Sequence, residues 1–270
     1  MAGTLTAAEV SAIAAAHEQA RVTVQPITAP SFEHDGMNLE DAYACQRAWV
    51  DLQVAGGARV IGHKIGLTSR AMQSQMQIDE PDFGALFDYM VMTDGASLRA
   101  ADYVDPRLEV ELAFVLRDRL EGSSLNLTDV LRATEYVQPA LELIDARSHR
   151  IDPVTRNART IVDTISDNAA DAGVILGGRP MRPEDVDLRW SGAIFSRNAI
   201  VEETGLGAGV LNHPGYGIVW LARRLEPMGL AIEPGQVILS GSFTRAVIAS
   251  AGDTFTADYG PLGTVSVHFD

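Results

Sequence analysis

The chain has 270 residues, of which 46% are hydrophobic, with a formal net charge of −15 and a single cysteine. That length suits one large domain, or a domain with a small N-terminal appendage. The acidic excess leaves no basic surface to neutralise nucleic-acid phosphates, and a lone Cys45 excludes both an intramolecular disulfide and a cysteine-based zinc site.

At the N-terminus no basic stretch precedes an apolar run, and no apolar run approaches the roughly 20 residues of a membrane span. A cytoplasmic protein without membrane association is therefore expected. Thr6-Ala7-Ala8-Glu9 is a capping-box pattern that opens an Ala-rich helix to about Ala20. After the Pro-containing connector ITAPSFEHDG, Asn38 caps a second helix, LEDAYACQRAWVDLQVA, which Gly56-Gly57 ends. Residues 1–60 thus read as an N-terminal helical region and 61–270 as a mixed-β core. VIGHKIGLT reads as a strand, SRAMQSQMQ as a short helix, and DEPDFGALFDYM as a loop broken by Pro81 and Gly84. Strand-like runs follow at LEVELAFVL, YVQPALELIDA, AADAGVILGG, LRWSGAIFSR, QVILSGSF, AVIASA, TFTADYG and TVSVHF. TDVLRATEY and HPGYGIVWLARRLEPMG read as helices. This is a β-rich α+β pattern, not regular βαβ alternation.

Three carboxylates sit where apolar side chains are expected. In LEVELAFVL, Glu109 and Glu111 share a strand face because side chains alternate. Glu142 repeats the oddity in PALELIDA. Buried carboxylates must be paired, protonated or bound to a metal. An all-oxygen set selects a hard cation, Mg²⁺ or Mn²⁺, over zinc. The alternative is pairing with a nearby arginine, such as Arg107 or Arg147. Lys64, in the apolar strand GHKIGLTS, is either an acid/base with a lowered pKa or a structural cation facing one of the glutamates. His63 points to the other side of that strand and reads as packing. The glycines of GLGAGVLNHP lack the βα context of a dinucleotide loop.

Taken together, GHKIGLTSRAMQ, IDEPDFGALFDYM, DPRLEVELAFVL, PALELIDAR, DTISDNAADAGVILGGRP, GVLNHPGYGIVWLA and SGSFTRAV resemble the hydratase/decarboxylase family of bacterial meta-cleavage pathways, related to the fumarylacetoacetate hydrolase fold. The resemblance runs from the Asn38 helix to the C-terminus. It implies a mixed β-sheet or barrel core with an N-terminal helical region, assembled as a homo-oligomer, a pentamer or decamer. It also implies a Mg²⁺-dependent lyase (Mn²⁺ being the alternative ion) that hydrates a 2-oxo-alkenoate diacid or its 2-hydroxydienoate tautomer. By position, the family's metal ligands fall on Glu109, Glu111 and Glu142, its strand lysine on Lys64 and the acid of its loop on Asp82. Ser166 and Asn168 fall at positions that either contact substrate or support the groups that do. The remote carboxylate of a diacid needs a cation, for which Arg245 in GSFTR is the first choice and Arg107 or Arg70 the alternatives. Hydration of 2-hydroxypenta-2,4-dienoate, decarboxylation of 4-oxalocrotonate, and a non-catalytic ring-forming subunit are the competing readings. The intact triad with Lys64 argues against the last.

Overall fold

The computed structural model describes residues 3–76 and 78–270. In chain order the helices and strands are α1 (Ala7–Thr23), α2 (Leu39–Ala55), β1 (Val60–Gly66), α3 (Arg70–Met76), β2 (Asp82–Phe87), β3 (Val91–Thr93), β4 (Ala96–Leu98) and β5 (Pro106–Leu116). They continue with α4 (Leu127–Ala133), β6 (Thr134–Asp145), α5 (Ile161–Ser166), β7 (Asp171–Leu176), β8 (Gly192–Arg197), β9 (Ile200–Leu206) and α6 (Gly215–Leu225). β10 (Val237–Leu239), β11 (Val247–Ile248), β12 (Thr254–Asp258) and β13 (Thr264–Phe269) complete the chain.

Both expected N-terminal caps form. Thr6 accepts from the Glu9 amide while the Glu9 carboxylate accepts from the Thr6 amide, and Asn38 and Asp41 do the same for α2. Each cap satisfies two amides that a helix start otherwise leaves unpaired.

Two mixed sheets make the core. The larger runs β2-β1-β10-β5-β6-β7-β3, with β11 also paired to β5; the smaller runs β4-β13-β12-β8-β9. β1/β10, β3/β7 and β4/β13 are parallel pairs and the others antiparallel. Alternation assigns the two faces of the large sheet. Leu108, Val110, Leu112 and Phe114 of β5, with Leu141 and Leu143 of β6, join Phe195, Phe255, Val267 and Phe269 of the small sheet in one apolar cluster. On the other face, Ala113, Ala140 and Val174 meet Ala14 of α1 and Trp49 of α2. The glutamates lie on this second face, beyond the alanines that seat the helices.

Several expectations need correction. DEPDFGALFDYM is not a loop: residues 82–87 form the fully buried edge strand β2. Gly84 looked like a breaker because it is small. It is small because a Cβ there would lie 2.4 Å from the Asn168 carbonyl oxygen, a close approach of the kind that selects glycine in strands. The helix expected over TDVLRATEY ends at Ala133, and Thr134 already belongs to β6. Residues 200–206, not assigned from sequence, pair with β8 as β9. The helix at SRAMQSQMQ is α3, and its last expected residue, Gln77, lies outside the described residues.

Candidate active site

Strand register assembles the three glutamates. Glu109 of β5 stands directly opposite Glu142 of β6, and Glu111 opposite Ala140. One carboxylate oxygen from each of Glu109, Glu111 and Glu142 lies within 4.8 Å of the other two. Glu111 and Glu142 are completely buried. Like charges directly opposite across an antiparallel pair are unfavourable, so this register is stable only with compensation.

Part of that compensation is visible. Lys64 reaches from β1 to place Nζ 3.1 Å from Glu142 Oε1. The Gly241 amide donates to Glu111 Oε2 at 2.7 Å. Gly241 is required there: its φ is +115° and a Cβ would come within 2.2 Å of the Thr68 hydroxyl. The Tyr259 hydroxyl lies 2.7 Å from the carbonyl oxygens of both Glu111 and Ala140, bridging β5 and β6 beside the triad.

The rest is missing. Glu111 Oε1 and Glu142 Oε2 are buried without a hydrogen-bond partner, and Glu142 Oε1 faces the Lys64 ammonium. Burial, then Glu142, pushes Glu109 up to about 7, and the same two causes hold Glu111 well above the usual carboxylate range. Unpartnered oxygens of the buried Glu111 and Glu142, with a carboxylate oxygen of the half-buried Glu109 close beside them, fit a hard divalent cation.

Lys64 and Asp82 stand beside the triad. Burial alone would lower the Lys64 pKa. The carboxylates of Glu142, Asp82, Glu109 and Asp171 outweigh it and hold the ammonium charged. The lowered pKa expected of an acid/base lysine is therefore not found; the pairing with Glu142 matches the alternative, a structural cation facing one of the glutamates. Asp82 is the first residue of β2, 1% exposed, and burial raises its pKa while Lys64 pulls it back. Both line a cavity of about 420 Å³ that Glu109 also borders, within the size range of small-molecule sites.

The other expected site residues divide. Arg107 and Arg245 line this cavity. Arg107 pairs with Asp105 at 3.0 Å. Arg245 sits at the rim, its side chain 82% exposed and bound to Glu203. Ser166 and Asn168 are not brought to the cavity wall. The Ser166 hydroxyl donates to the Asp163 carbonyl and lies 3.3 Å from His17 Nε2. Asn168 accepts from the Ala85 amide at 2.8 Å and donates to the Ala85 carbonyl at 3.0 Å. Both side chains are engaged in holding backbone and helix, away from the cavity wall.

Three residues escaped the sequence reading. Asp171, fully buried at the start of β7 with both carboxylate oxygens unpartnered, is raised by burial and by Glu142. Its signal was present: an acid abutting the apolar run AGVIL. Arg150 and Arg159 line the cavity from an irregular segment without periodicity.

Two mixed sheets around a buried carboxylate triad, with a lysine and an aspartate at its mouth, define an enzyme of the fumarylacetoacetate hydrolase-like fold. No protein-family model matches the chain. It is 55% identical to the 2-oxo-hept-4-ene-1,7-dioate hydratase of Escherichia coli over 252 residues, 93% of this chain and 94% of that one. The structure of 4-oxalocrotonate decarboxylase from Pseudomonas putida G7, complexed with magnesium and adipate, superposes over the whole of both chains with a TM-score of 0.94 at 34% identity. Fumarylpyruvate hydrolase from Pseudomonas aeruginosa, solved with Mn²⁺ and pyruvate, shares the fold at a TM-score of 0.56 and 14% identity, over 77% of this chain and 88% of that one. The chain belongs to the hydratase/decarboxylase family of meta-cleavage pathways.

Proposed function

We propose that this chain is a hydro-lyase that adds water to 2-oxo-hept-4-ene-1,7-dioate, taken as such or as 2-hydroxyhepta-2,4-dienedioate, in bacterial aromatic catabolism. The observation that carries the reading is the convergence of Glu109, Glu111 and Glu142, with Lys64 paired to Glu142, beside a cavity that Glu109, Lys64 and Asp82 line, in a chain 55% identical to a hydratase of that substrate. The triad would hold Mg²⁺, with Mn²⁺ as the alternative. Such an ion supplies Lewis-acid stabilisation of negative charge on the substrate's C2 oxygen.

The chain's own residues do the rest. From the dienol, the hydroxyl proton leaves and C5 gains one, so the remaining double bond becomes conjugated with the C2 carbonyl. Water then adds at C4, one of its protons leaves, and C3 gains a proton. Asp82, with a pKa raised by burial, is suited to carry these protons because it populates both protonation states more evenly near neutrality. Lys64 remains an ammonium: it neutralises Glu142 and keeps a donor beside Asp82.

The test uses purified protein with Mg²⁺ and 2-hydroxyhepta-2,4-dienedioate. Loss of dienol absorbance with one water incorporated at C4 is expected. Carbon dioxide release from 4-oxalocrotonate, without hydration of the dienedioate, would move the chain to the decarboxylase branch, whose metal and enolate chemistry the same triad serves.

A further inference from the structure

The part of the cavity wall formed by residues 150–159 carries two arginines whose close ion pairs leave them short of counter-charge. Residues 150–159 form a small hairpin: the Arg159 amide donates to the Arg150 carbonyl at 3.0 Å, and Ile151 bridges Ala158. Arg150 and Arg159 therefore face each other across its base with side chains on one side, and both line the cavity. Two guanidiniums at directly opposed positions repel.

Nearby carboxylates do not settle the imbalance. Among the ion pairs of the described residues, Arg107 and Arg150 share Asp105, while Arg147 and Arg159 share Asp167. Within these close pairs four cations share two anions, with Asp163 a more distant carboxylate for Arg159, and Glu109 and Asp82 more distant ones for Arg150 and Arg159 respectively. Arg147 takes most of Asp167, since its own amide and its Nε both engage that carboxylate, whereas Arg159 approaches only to 3.6 Å. The Arg159 side chain is 7% exposed, and its one hydrogen bond goes to the Ser148 hydroxyl at 3.3 Å. Burial, then Arg150, pulls its pKa down to about 10, as befits a desolvated cation short of a counter-charge. Arg245, by contrast, is solvated and already paired.

We propose that Arg159, with Arg150 beside it, binds the substrate carboxylate remote from the 2-oxo end and so sets the preference for diacids. This rests on the hydratase reading. A guanidinium pair presents the forked donors that carboxylates accept, and a bound carboxylate would offset one of the two surplus charges.

Steady-state kinetics on the full chain with Mg²⁺ compare 2-hydroxyhepta-2,4-dienedioate with the mono-acid 2-hydroxypenta-2,4-dienoate. Arg159→Gln is expected to raise KM for the diacid about 10- to 100-fold, the range for loss of a charged hydrogen bond, and to change mono-acid KM less than about threefold. Arg159→Lys should fall between. Retained mono-acid turnover shows that the variant is folded; if it is lost, Arg150→Gln decides by the same comparison. Equal effects on both substrates, or a diacid preference abolished by Arg245→Ala and untouched by Arg159→Gln, would overturn the assignment. Should the wild type hydrate neither substrate, the hydratase reading fails. The subsite is then judged by calorimetry, where tighter binding of adipate than hexanoate, lost in Arg159→Gln, supports it and equal binding refutes it.

Discussion

At the scale of single residues, the site is a set of buried charges that must be read together. Lys64 and Asp82 lie 4% and 1% exposed in a crowd of carboxylates. Removing Lys64 leaves the carboxylates around it uncompensated, whereas removing Asp82 deletes the proton carrier. Asp82→Asn keeps the shape of the side chain and is expected to lower kcat about 100- to 10,000-fold, the usual span for a general acid–base, with little change in thermal midpoint. Near-normal turnover would remove Asp82 from the chemistry. His63 reports on the fold instead. It is buried against the edge of Phe83, with ring centroids 6.1 Å apart, and desolvation drives its pKa down to about 4 from 6.5. The unfolded chain therefore binds a proton between those values that the native protein refuses. Stability from this residue is full above pH 6.5 and is lost as pH falls through 4, by roughly 3 kcal/mol in all. Denaturant unfolding of wild type and His63→Gln between pH 7 and 4 checks this, and the variant is expected to show the shallower acid limb.

At the scale of elements, β2 decides where Asp82 stands, and β2 is an edge strand. Its outer edge is covered by side chains in place of another strand. Gln46 of α2 donates to the Phe83 carbonyl at 2.7 Å, and Asn168 pairs with both the amide and the carbonyl of Ala85, so few of its buried backbone groups go unpaired. Asn168 does this from φ +50°, the first of three successive left-handed residues with Ala169 and Ala170. Asparagine tolerates that conformation better than alanine. Asn168→Ala is expected to cost about 2–5 kcal/mol by leaving two buried backbone groups unmet and to lower kcat through displacement of β2. An unaltered thermal midpoint would show that the edge is held otherwise. These same features explain what the sequence made legible. β5 and β6 were readable because alternation runs over 11 and 12 residues, long enough to expose Glu109, Glu111 and Glu142 as anomalies. β2 was not, since Pro81 and Gly84 imitate a loop while marking a close approach. The hairpin at 150–159 has a single bridge and no period, so Arg150 and Arg159 left no trace. Ser166 and Asn168 matched a family motif, yet a motif does not say which way a side chain turns.

At the scale of the molecule, the exposed apolar side chains Trp190, Ile194, Ile200 and Val201 gather on and beside the β8–β9 hairpin at the end of the small sheet. Exposed apolar side chains at a sheet edge suit self-association, the homo-oligomer that the family resemblance leads one to expect. Sedimentation is expected to give a homo-oligomer that Ile200→Glu weakens, and a wild-type monomer would refute this. The other global property is the cost of the triad. Without a cation, Glu109 keeps its proton to about pH 7 and Glu111 is held well above the usual carboxylate range, whereas the unfolded chain releases both near 4.5. The stability these two groups contribute to the cation-free protein is thus present below pH 4.5 and, for Glu109, lost as pH rises through 7. A divalent ion that binds only the native state reverses the trend, because it needs the carboxylates deprotonated. At a concentration 100 times its Kd it adds about 2.7 kcal/mol, or roughly 5 °C for a chain of this length. Thermal unfolding with Mg²⁺ and with EDTA should therefore diverge with pH: a small difference at pH 5, the full shift at pH 8, and none in Glu111→Gln. Identical midpoints in Mg²⁺ and EDTA at pH 8 would mean that the three glutamates balance their charge some other way, with Lys64 and protons alone.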